Sequence, residues 1–281
     1  MSITIPAAEG KLAGTYNFAT TYRPDGDVAE ATMPAAGGLA EEKLTYGYNS
    51  LGLPTTLAGK TSYVTGTTYT PYSEPQQVTL SAGGKWVKRS AEYEIGTRRL
   101  ARTVTERETP GRTVSNVSFG YDQAGNITRI HNQPGADTGE PADTQCFQHD
   151  YLRRMTGAWT PRDGNCATPP SSAGLGGPAP YWHGWTYDKV GNRTSETKVA
   201  PDGKTTSSVY SYPEPGQARP HGVQKVTTTG PQGTKVDDYG YDANGNTTAR
   251  KGQTLEWDLE GQMTKVTEGS KVTSYVYDGE G

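Results

Sequence analysis

The chain has 281 residues, a formal net charge of −3 and a hydrophobic content of 32%, with eighteen Tyr against three Phe. This composition excludes a deep apolar core, and the absence of long Lys/Arg clusters argues against a protein that binds nucleic acid by neutralising phosphates. No stretch approaches the roughly 20 apolar residues that a membrane-spanning helix needs. We therefore expect neither a nucleic-acid partner nor a membrane span.

The abundance of turn-forming residues predicts many short strands. The chain contains 36 Gly and 19 Pro, and its Thr and Tyr suit half-buried strands. Disorder is the competing interpretation of such a polar chain, but its polar residues alternate with Val, Tyr and Leu instead of forming low-complexity blocks. The first six residues lack the basic and apolar regions of a signal peptide, so we expect any leader upstream.

A short motif recurs along the chain. Loose copies come first, at Tyr22, residues 46–52, Tyr72 and residues 93–100. Residues 119–128, 185–194 and 239–248 share the pattern aromatic-x-Tyr-Asp-x-x-Gly-Asn-x-Thr, residues 147–155 and 255–263 are variants of it, and a copy at 275–281 ends at its glycine. The predicted motif residues are Tyr121, Asp122, Gly125, Asn126, Tyr187, Asp188, Gly191, Asn192, Tyr241, Asp242, Gly245, Asn246, Trp257, Asp258, Gly261, Tyr277 and Asp278.

Each copy predicts one β-hairpin. Tyr and Asp end the incoming strand, the Asp accepts hydrogen bonds from turn amides, and Gly supplies a positive φ. A single hairpin is too small to be stable alone, so neighbours should stack into a sheet. We expect one repeat array over residues 1–281, interrupted by an inserted loop at about 163–183 that is rich in Pro, Gly and Ser.

The motif copies, with the variants at His149 and Trp257, resemble the YD repeats of bacterial Rhs proteins, toxin-complex C components and teneurins, and in style the actinobacterial members. The resemblance implies an all-β fold in which tandem hairpins form a curved, spiralling antiparallel sheet, part of a hollow shell. It also implies a secreted or cell-surface parent protein and a C-terminal cargo, with the remaining shell segments and that cargo as partners. Both the cargo and the self-cleaving region of the family are expected beyond Gly281.

Catalytic and metal-binding chemistry is not indicated by the spacing of the candidate residues. The motif aspartates belong to separate turns, and a calcium loop starting at Asp242 would place Gln253 where a bidentate Glu is needed. The four histidines form no His-x-x-x-His pair, and no serine lies in a Gly-x-Ser-x-Gly elbow. We expect a non-catalytic scaffold without a cofactor, while a catalytic triad assembled from distant repeats stays open.

Cys146 and Cys166 flank the repeat at His149, one on each side. In a chain that resembles secreted shells, this placement suggests a disulfide that pins the inserted loop to its hairpin. Two free thiols are the alternative. Asn116, Asn126, Asn192 and Asn246 lie in Asn-x-Ser/Thr sequons, but three of these follow from the repeat motif itself.

Four aromatic residues near the insertion are candidates for stacking on sugars: Trp159, Tyr181, Trp182 and Trp185. Packing between neighbouring hairpins is the competing interpretation of these residues. A carbohydrate- or cell-surface-binding module is therefore the alternative function. Because the sequence stops inside a repeat, unpaired strand edges could also pair two copies edge to edge.

Overall fold

The computed structural model of the protein describes residues 1–277, so the expected motif residue Asp278 lies outside the described residues. Its regular structure consists of β-strands and three short 3₁₀ helices, at Ala7–Leu12, Ala136–Thr138 and Ser172–Gly174. Within this described part, no helix is long and apolar enough to cross a membrane. The predicted all-β fold is confirmed.

The first ten strands are β1 (Ser2–Ile5), β2 (Gly14–Asn17), β3 (Ala19–Tyr22), β4 (Val28–Met33), β5 (Glu42–Tyr48), β6 (Pro54–Ala58), β7 (Ser62–Tyr69), β8 (Pro75–Ala82), β9 (Lys85–Tyr93) and β10 (Leu100–Arg107). They are followed by β11 (Thr113–Tyr121), β12 (Ile127–Asn132), β13 (Asp143–His149), β14 (Met155–Trp159), β15 (Trp182–Tyr187), β16 (Arg193–Val199) and β17 (Thr205–Ser211). The last six are β18 (Lys225–Gly230), β19 (Gly233–Tyr241), β20 (Thr247–Arg250), β21 (Gln253–Trp257), β22 (Met263–Glu268) and β23 (Lys271–Ser274).

The chain divides into two compact units. The first comprises residues 1–120 and 130–142; the second comprises 121–129 and the residues from 143 onward. In the first unit β1 pairs with β2, and every strand from β3 to β11 pairs antiparallel with the next. In the second unit the same neighbour-to-neighbour pairing runs from β13 to β23. The expectation of one repeat domain over 1–281 stays a prediction.

The hairpins share a bulge next to the motif aromatic residue. The antiparallel register shifts between Thr186 and Tyr187, and it shifts at the equivalent place before Tyr241 and Trp257. The extra residue lies on the outgoing strand, at Thr194, Thr248 and Thr264, where a bulge bends the strand that leaves the turn. The bulge is therefore part of the repeat, and its extra residue is the Thr that follows the turn.

Few apolar side chains are fully buried, as the composition requires. Among the side chains whose burial the structure describes, the buried hydrophobic ones are those of Cys146, Ala158, Trp159, Leu175, Val226 and Leu255, and all six lie in the second unit. Cys146, Trp159 and Leu175 pack together into a cluster, and Cys166 and Trp182 cover it. Most of the stabilisation must therefore come from strand pairing and half-buried contacts.

Candidate functional site

The repeat turns are built around one acceptor side chain. Asp188 Oδ1 accepts hydrogen bonds from the amide nitrogens of Val190 (3.0 Å) and Asn192 (2.8 Å), and its Oδ2 accepts one from Asn192 Nδ2 (2.9 Å). Asp122 and Asp242 bind their own Asn126 and Asn246 in the same way. Each motif carboxylate is thus engaged by the amides of its own turn.

The variant turns keep this geometry with other residues. Asp258 Oδ1 accepts from the amides of Glu260 and Gln262, both at 2.9 Å. In the turn of Asp150, the Nε of Arg154 replaces the Asn amide at 2.7 Å, and Arg153 takes the glycine position at a φ of 64°. The regular turns place Gly125, Gly191, Gly245 and Gly261 at φ values of 91°, 96°, 92° and 80°.

Hydrogen bonding lowers the pKa of these turn carboxyls. For Asp122 the hydrogen bond from the Asn126 side chain is the main cause of the lowered pKa, and backbone amides add to it. At Asp188 and Asp242 burial acts to raise the pKa, but hydrogen bonds from the turn amides and from the Asn side chain outweigh it. The three turn carboxyls therefore stay ionised, and their charge serves to accept the hydrogen bonds that hold the turn.

Metal binding and glycosylation are the alternative uses of these motif residues. No three His, Cys, Asp or Glu side chains come together as a metal site anywhere in residues 1–277. In three of the four sequons the Asn side chain is already engaged, because Asn126, Asn192 and Asn246 donate through their side-chain nitrogens to the turn aspartates. A glycan on any of these nitrogens would displace that contact.

The motif aromatic residue makes a contact that the sequence did not predict. Its Tyr hydroxyl or Trp indole nitrogen donates a hydrogen bond to a main-chain oxygen of the preceding hairpin. The acceptor is the first residue of the strand that leaves the preceding turn, with Val223 as the exception. We call this contact the hairpin clamp. The donors Tyr48, Tyr69, Tyr93, Tyr187, Tyr212, Tyr241, Trp257 and Tyr277 bind, respectively, the oxygens of Val28, Pro54, Pro75, Met155, Arg193, Val223, Thr247 and Met263.

The clamp corrects one of the loose repeat copies. We expected Tyr72 as the anchor of the third copy, but Tyr69 ends β7 and donates to Pro54, whereas Tyr72 lies at the tip of the turn and is 70% exposed. Thr70 supplies the acceptor oxygen in this turn, and Ser73 takes the glycine position at a φ of 65°. Thr70 and Ser73 stand where the motif has Asp and Gly, so the sequence pattern does not reveal this copy.

The insertion is tied to its hairpin at several points. The structure joins Cys146 to Cys166 in a disulfide with Cα atoms 5.4 Å apart, and Leu175, 2% exposed, packs against Cys146 and Trp159. Main-chain bonds also hold it, from Gly176 to Thr160 (3.0 Å) and from Thr160 to Tyr181 (3.0 Å). A cleft of about 290 Å³ remains beneath its prolines.

The four aromatic candidates fall on two opposite faces of the sheet. Trp159 is 2% exposed, and Trp182, its partner across the strands, covers the same buried cluster. Trp159 therefore presents no ring face to a ligand, contrary to its place among the sugar-binding candidates, and its indole Nε1 is buried without a partner among the described residues. The other two, Tyr181 and Trp185, lie on the other face with His183 between them.

That second face, which we call the aromatic face, carries Tyr181, His183, Trp185, Glu196 and Tyr210. The ring of His183 lies 5.2 Å from that of Tyr181 and 5.9 Å from that of Trp185. Glu196 accepts from Trp185 Nε1 at 3.1 Å and from the Tyr210 hydroxyl at 3.5 Å. The rings are thus held in a row by their neighbours, beside a cleft of about 360 Å³ next to Tyr181 and His183.

Burial and nearby charges shift the pKa values of two groups on the aromatic face. Burial lowers the pKa of His183, and the nearby Lys198 lowers it further, which favours the neutral imidazole. Burial acts to raise the pKa of Glu196, but the Trp185 hydrogen bond together with Lys198 and Arg193 lowers it. The face therefore offers a neutral aromatic row with one engaged carboxylate, and the alternation of residues 181, 183 and 185 was the sequence signal for it.

Comparison with known proteins adds information on the fold. No family model and no curated protein matches the sequence. Solved structures do match, and three of them are crystal structures entitled TcdB2-TccC3-Cdc42, TcdB2-TccC3-TEV and TcdB2-TccC3, with TM-scores of 0.60, 0.58 and 0.58 and sequence identities of 15%, 16% and 17%. The chain shares its fold with TcdB2-TccC3.

Each match to TcdB2-TccC3 covers 95% of this chain and 13% of the other. The chain thus spans about an eighth of the length of the TcdB2-TccC3 chains that it matches. The similarity supports the Rhs/YD-like fold that the repeats indicated. At these identities TcdB2-TccC3 informs the fold alone, and it assigns no role to any side chain.

Proposed function

We propose that the chain is a non-catalytic wall segment of an Rhs/YD-repeat shell in a longer, secreted or cell-surface, toxin-like protein. The observation that carries the proposal is the fold shared with TcdB2-TccC3 over 95% of the chain. The hairpin clamps and the turn carboxylates agree with it, because the clamps join neighbouring hairpins and the carboxylates hold the turns together. On this proposal the partners are neighbouring shell segments and an enclosed C-terminal cargo.

A wall separates an inside from an outside, so its two faces should differ in access. Lys235 and Val236 are adjacent and exposed on β19, and their side chains point to opposite faces. The register from Lys235 through Thr228, Ser208 and Glu196 places it on the aromatic face. Single cysteines at these two positions therefore report on the two faces at one place in the sheet.

The experiment labels Lys235→Cys and Val236→Cys with a bulky maleimide, without reductant, in the proposed longer protein and in residues 1–281 alone. A shell wall predicts that both positions react in the short chain, whereas only one reacts in the longer protein. Equal labelling of both positions in the longer protein would show that neither face is enclosed and would reject the proposal.

A second candidate function rests on the row of Tyr181, His183 and Trp185. We propose that this row binds a saccharide by stacking, because half-buried rings held in line suit sugar rings. Trp185→Ala and Tyr181→Ala should each reduce retention of the chain in a polysaccharide affinity gel. Tyr151→Ala is the matched control, since Tyr151 is 90% exposed and lies away from this row. Retention that survives both row substitutions would refute this function.

A further inference from the structure

One repeat turn carries a dipeptide found nowhere else in the sequence. Asn244 is followed by Gly245, and every other Asn precedes a residue with a side chain. Both residues are exposed at the tip of the turn between β19 and β20. Gly245 has a φ of 92°, and a Cβ built on it would meet no atom within 4 Å. No side chain at position 245 therefore shields the peptide nitrogen that follows Asn244.

The side chain of Asn244 also differs from those of the other motif asparagines. Asn126, Asn192 and Asn246 donate through Nδ2 to the turn carboxylates at 2.7, 2.9 and 3.0 Å. Asn244 uses only its main-chain nitrogen, which donates to Asp242 Oδ1 at 2.9 Å. Among residues 1–277 its side-chain amide has no hydrogen-bond partner, so nothing described there holds that amide away from the following nitrogen.

We propose that Asn244 is a site of spontaneous deamidation. The nitrogen of Gly245 attacks Asn244 Cγ, the new N–Cγ bond closes a five-membered imide, and the side-chain nitrogen leaves as ammonia with the proton of the Gly245 amide. Water then opens the imide at either carbonyl and leaves an aspartyl or isoaspartyl residue at position 244. The sum is one water consumed and one ammonia released, and no oxidant or cofactor is needed.

The turn itself controls the rate of this reaction. Gly245 N donates to the main-chain oxygen of Asp242 at 3.2 Å, and Asp242 Oδ1 binds the nitrogens of Asn244 and Asn246. The attacking nitrogen is free only when the turn opens, so Asp242 is a positioning residue that slows the reaction. The isoaspartyl product adds a methylene to the main chain. It would disrupt the hydrogen bond from Asp242 N to Asn246 O, which is 3.0 Å long in the unmodified turn.

The test incubates the purified chain in mildly alkaline buffer and follows its peptides by mass spectrometry. The peptide with residue 244 should gain about one dalton, with an isoaspartyl fraction, while the peptides with Asn126 and Asn192 stay unchanged. Asn244→Gln should abolish the change, because a longer side chain does not close the five-membered ring readily. Asp242→Ala should accelerate it several-fold, and the matched Asp188→Ala should leave it unaltered.

Two results would overturn the proposal. The first is an unmodified residue 244 in the folded chain under conditions in which the urea-unfolded chain is modified there, since the turn would then protect it fully. The second is equal modification at residues 126 and 192, since the dipeptide and its geometry would then be irrelevant. A rate unaffected by Asp242→Ala would refute the control exerted by the turn.

Discussion

The hydroxyl of Tyr187 donates a hydrogen bond of 2.7 Å to the main-chain oxygen of Met155, the first residue of the strand that leaves the preceding turn. Tyr187→Phe removes only this donor, so we expect the free energy of unfolding to fall by about 1 kcal/mol. Tyr151→Phe is the control, because Tyr151 is 90% exposed. Urea unfolding should separate the two variants, and equal stabilities would mean that the clamp contributes nothing.

The left-handed glycine of a turn offers a test of backbone strain alone. Gly191 has a φ of 96°, and a Cβ there would meet no atom within 4 Å. Gly191→Ala should therefore cost about 1–2 kcal/mol of stability, the usual penalty for an L-residue in this conformation. Gly66→Ala is matched, since its Cβ also enters open space but its φ is ordinary. A thermal melt in which both substitutions behave alike would contradict this account.

Leu175 anchors the insertion. Because it is 2% exposed against Cys146 and Trp159, Leu175→Ala should lower the unfolding free energy by about 2–5 kcal/mol. The same substitution at Leu259, which is 103% exposed at a turn tip, should change it by no more than about 0.5 kcal/mol. Denaturant unfolding measures both, and a Leu175 variant as stable as the Leu259 variant would show that the insertion is not anchored here.

The disulfide should be intact in the purified chain and should stabilise it. Closing a loop across a sequence separation of 20 is worth roughly 3 kcal/mol in the chain-entropy model. We expect no thiol labelling without reductant, two labelled thiols after reduction and unfolding, and a matching loss of stability in the Cys146→Ser/Cys166→Ser double variant. Two thiols labelled in the untreated protein would disprove the bond.

The turn carboxylates predict a pH dependence. The pKa of Asp188 is lowered below its ordinary 3.8 in the folded chain, so its charge stabilises the fold above that pH and the benefit is lost as the pH falls through the folded value. The stability difference between the parent and Asp188→Asn should therefore be constant near neutral pH and shrink below about 3.8. Glu41→Gln, at an exposed side chain, is the control; a difference independent of pH would exclude the carboxylate's role.

The sequence was sufficient to predict the local features of the repeat turns. Asp188, Gly191 and Asn192 lie within five residues, and their hydrogen bonds and positive φ are properties of the turn itself, so the motif predicted the hairpins and the all-β fold. The clamp from Tyr187 to Met155 joins residues 32 positions apart, and only the pairing of β14 with β15 brings them together. The motif shows that a Tyr recurs, but it does not show which main-chain oxygen accepts the hydrogen bond of that Tyr.

The aromatic candidates show a second limit. Trp182 and Trp185 are three residues apart and form one cluster in the sequence, yet in a strand an odd spacing places side chains on opposite faces. Alternation alone would have grouped Tyr181, His183 and Trp185. The burial of Trp159 was not readable at all, because it depends on Leu175, which the insertion returns to the sheet.

Every hairpin clamp points backward along the chain, from a later hairpin to an earlier one. The clamp on a repeat is therefore donated by a residue of a later repeat. The main-chain oxygen of Met155, for example, accepts from a hydroxyl that lies 32 residues later in the sequence. During synthesis on a ribosome, each of these eight clamps would form only after its Tyr or Trp donor has been added to the chain. The clamps would therefore form in the order of synthesis, and a pause would leave the most recent clamped hairpin without its donor.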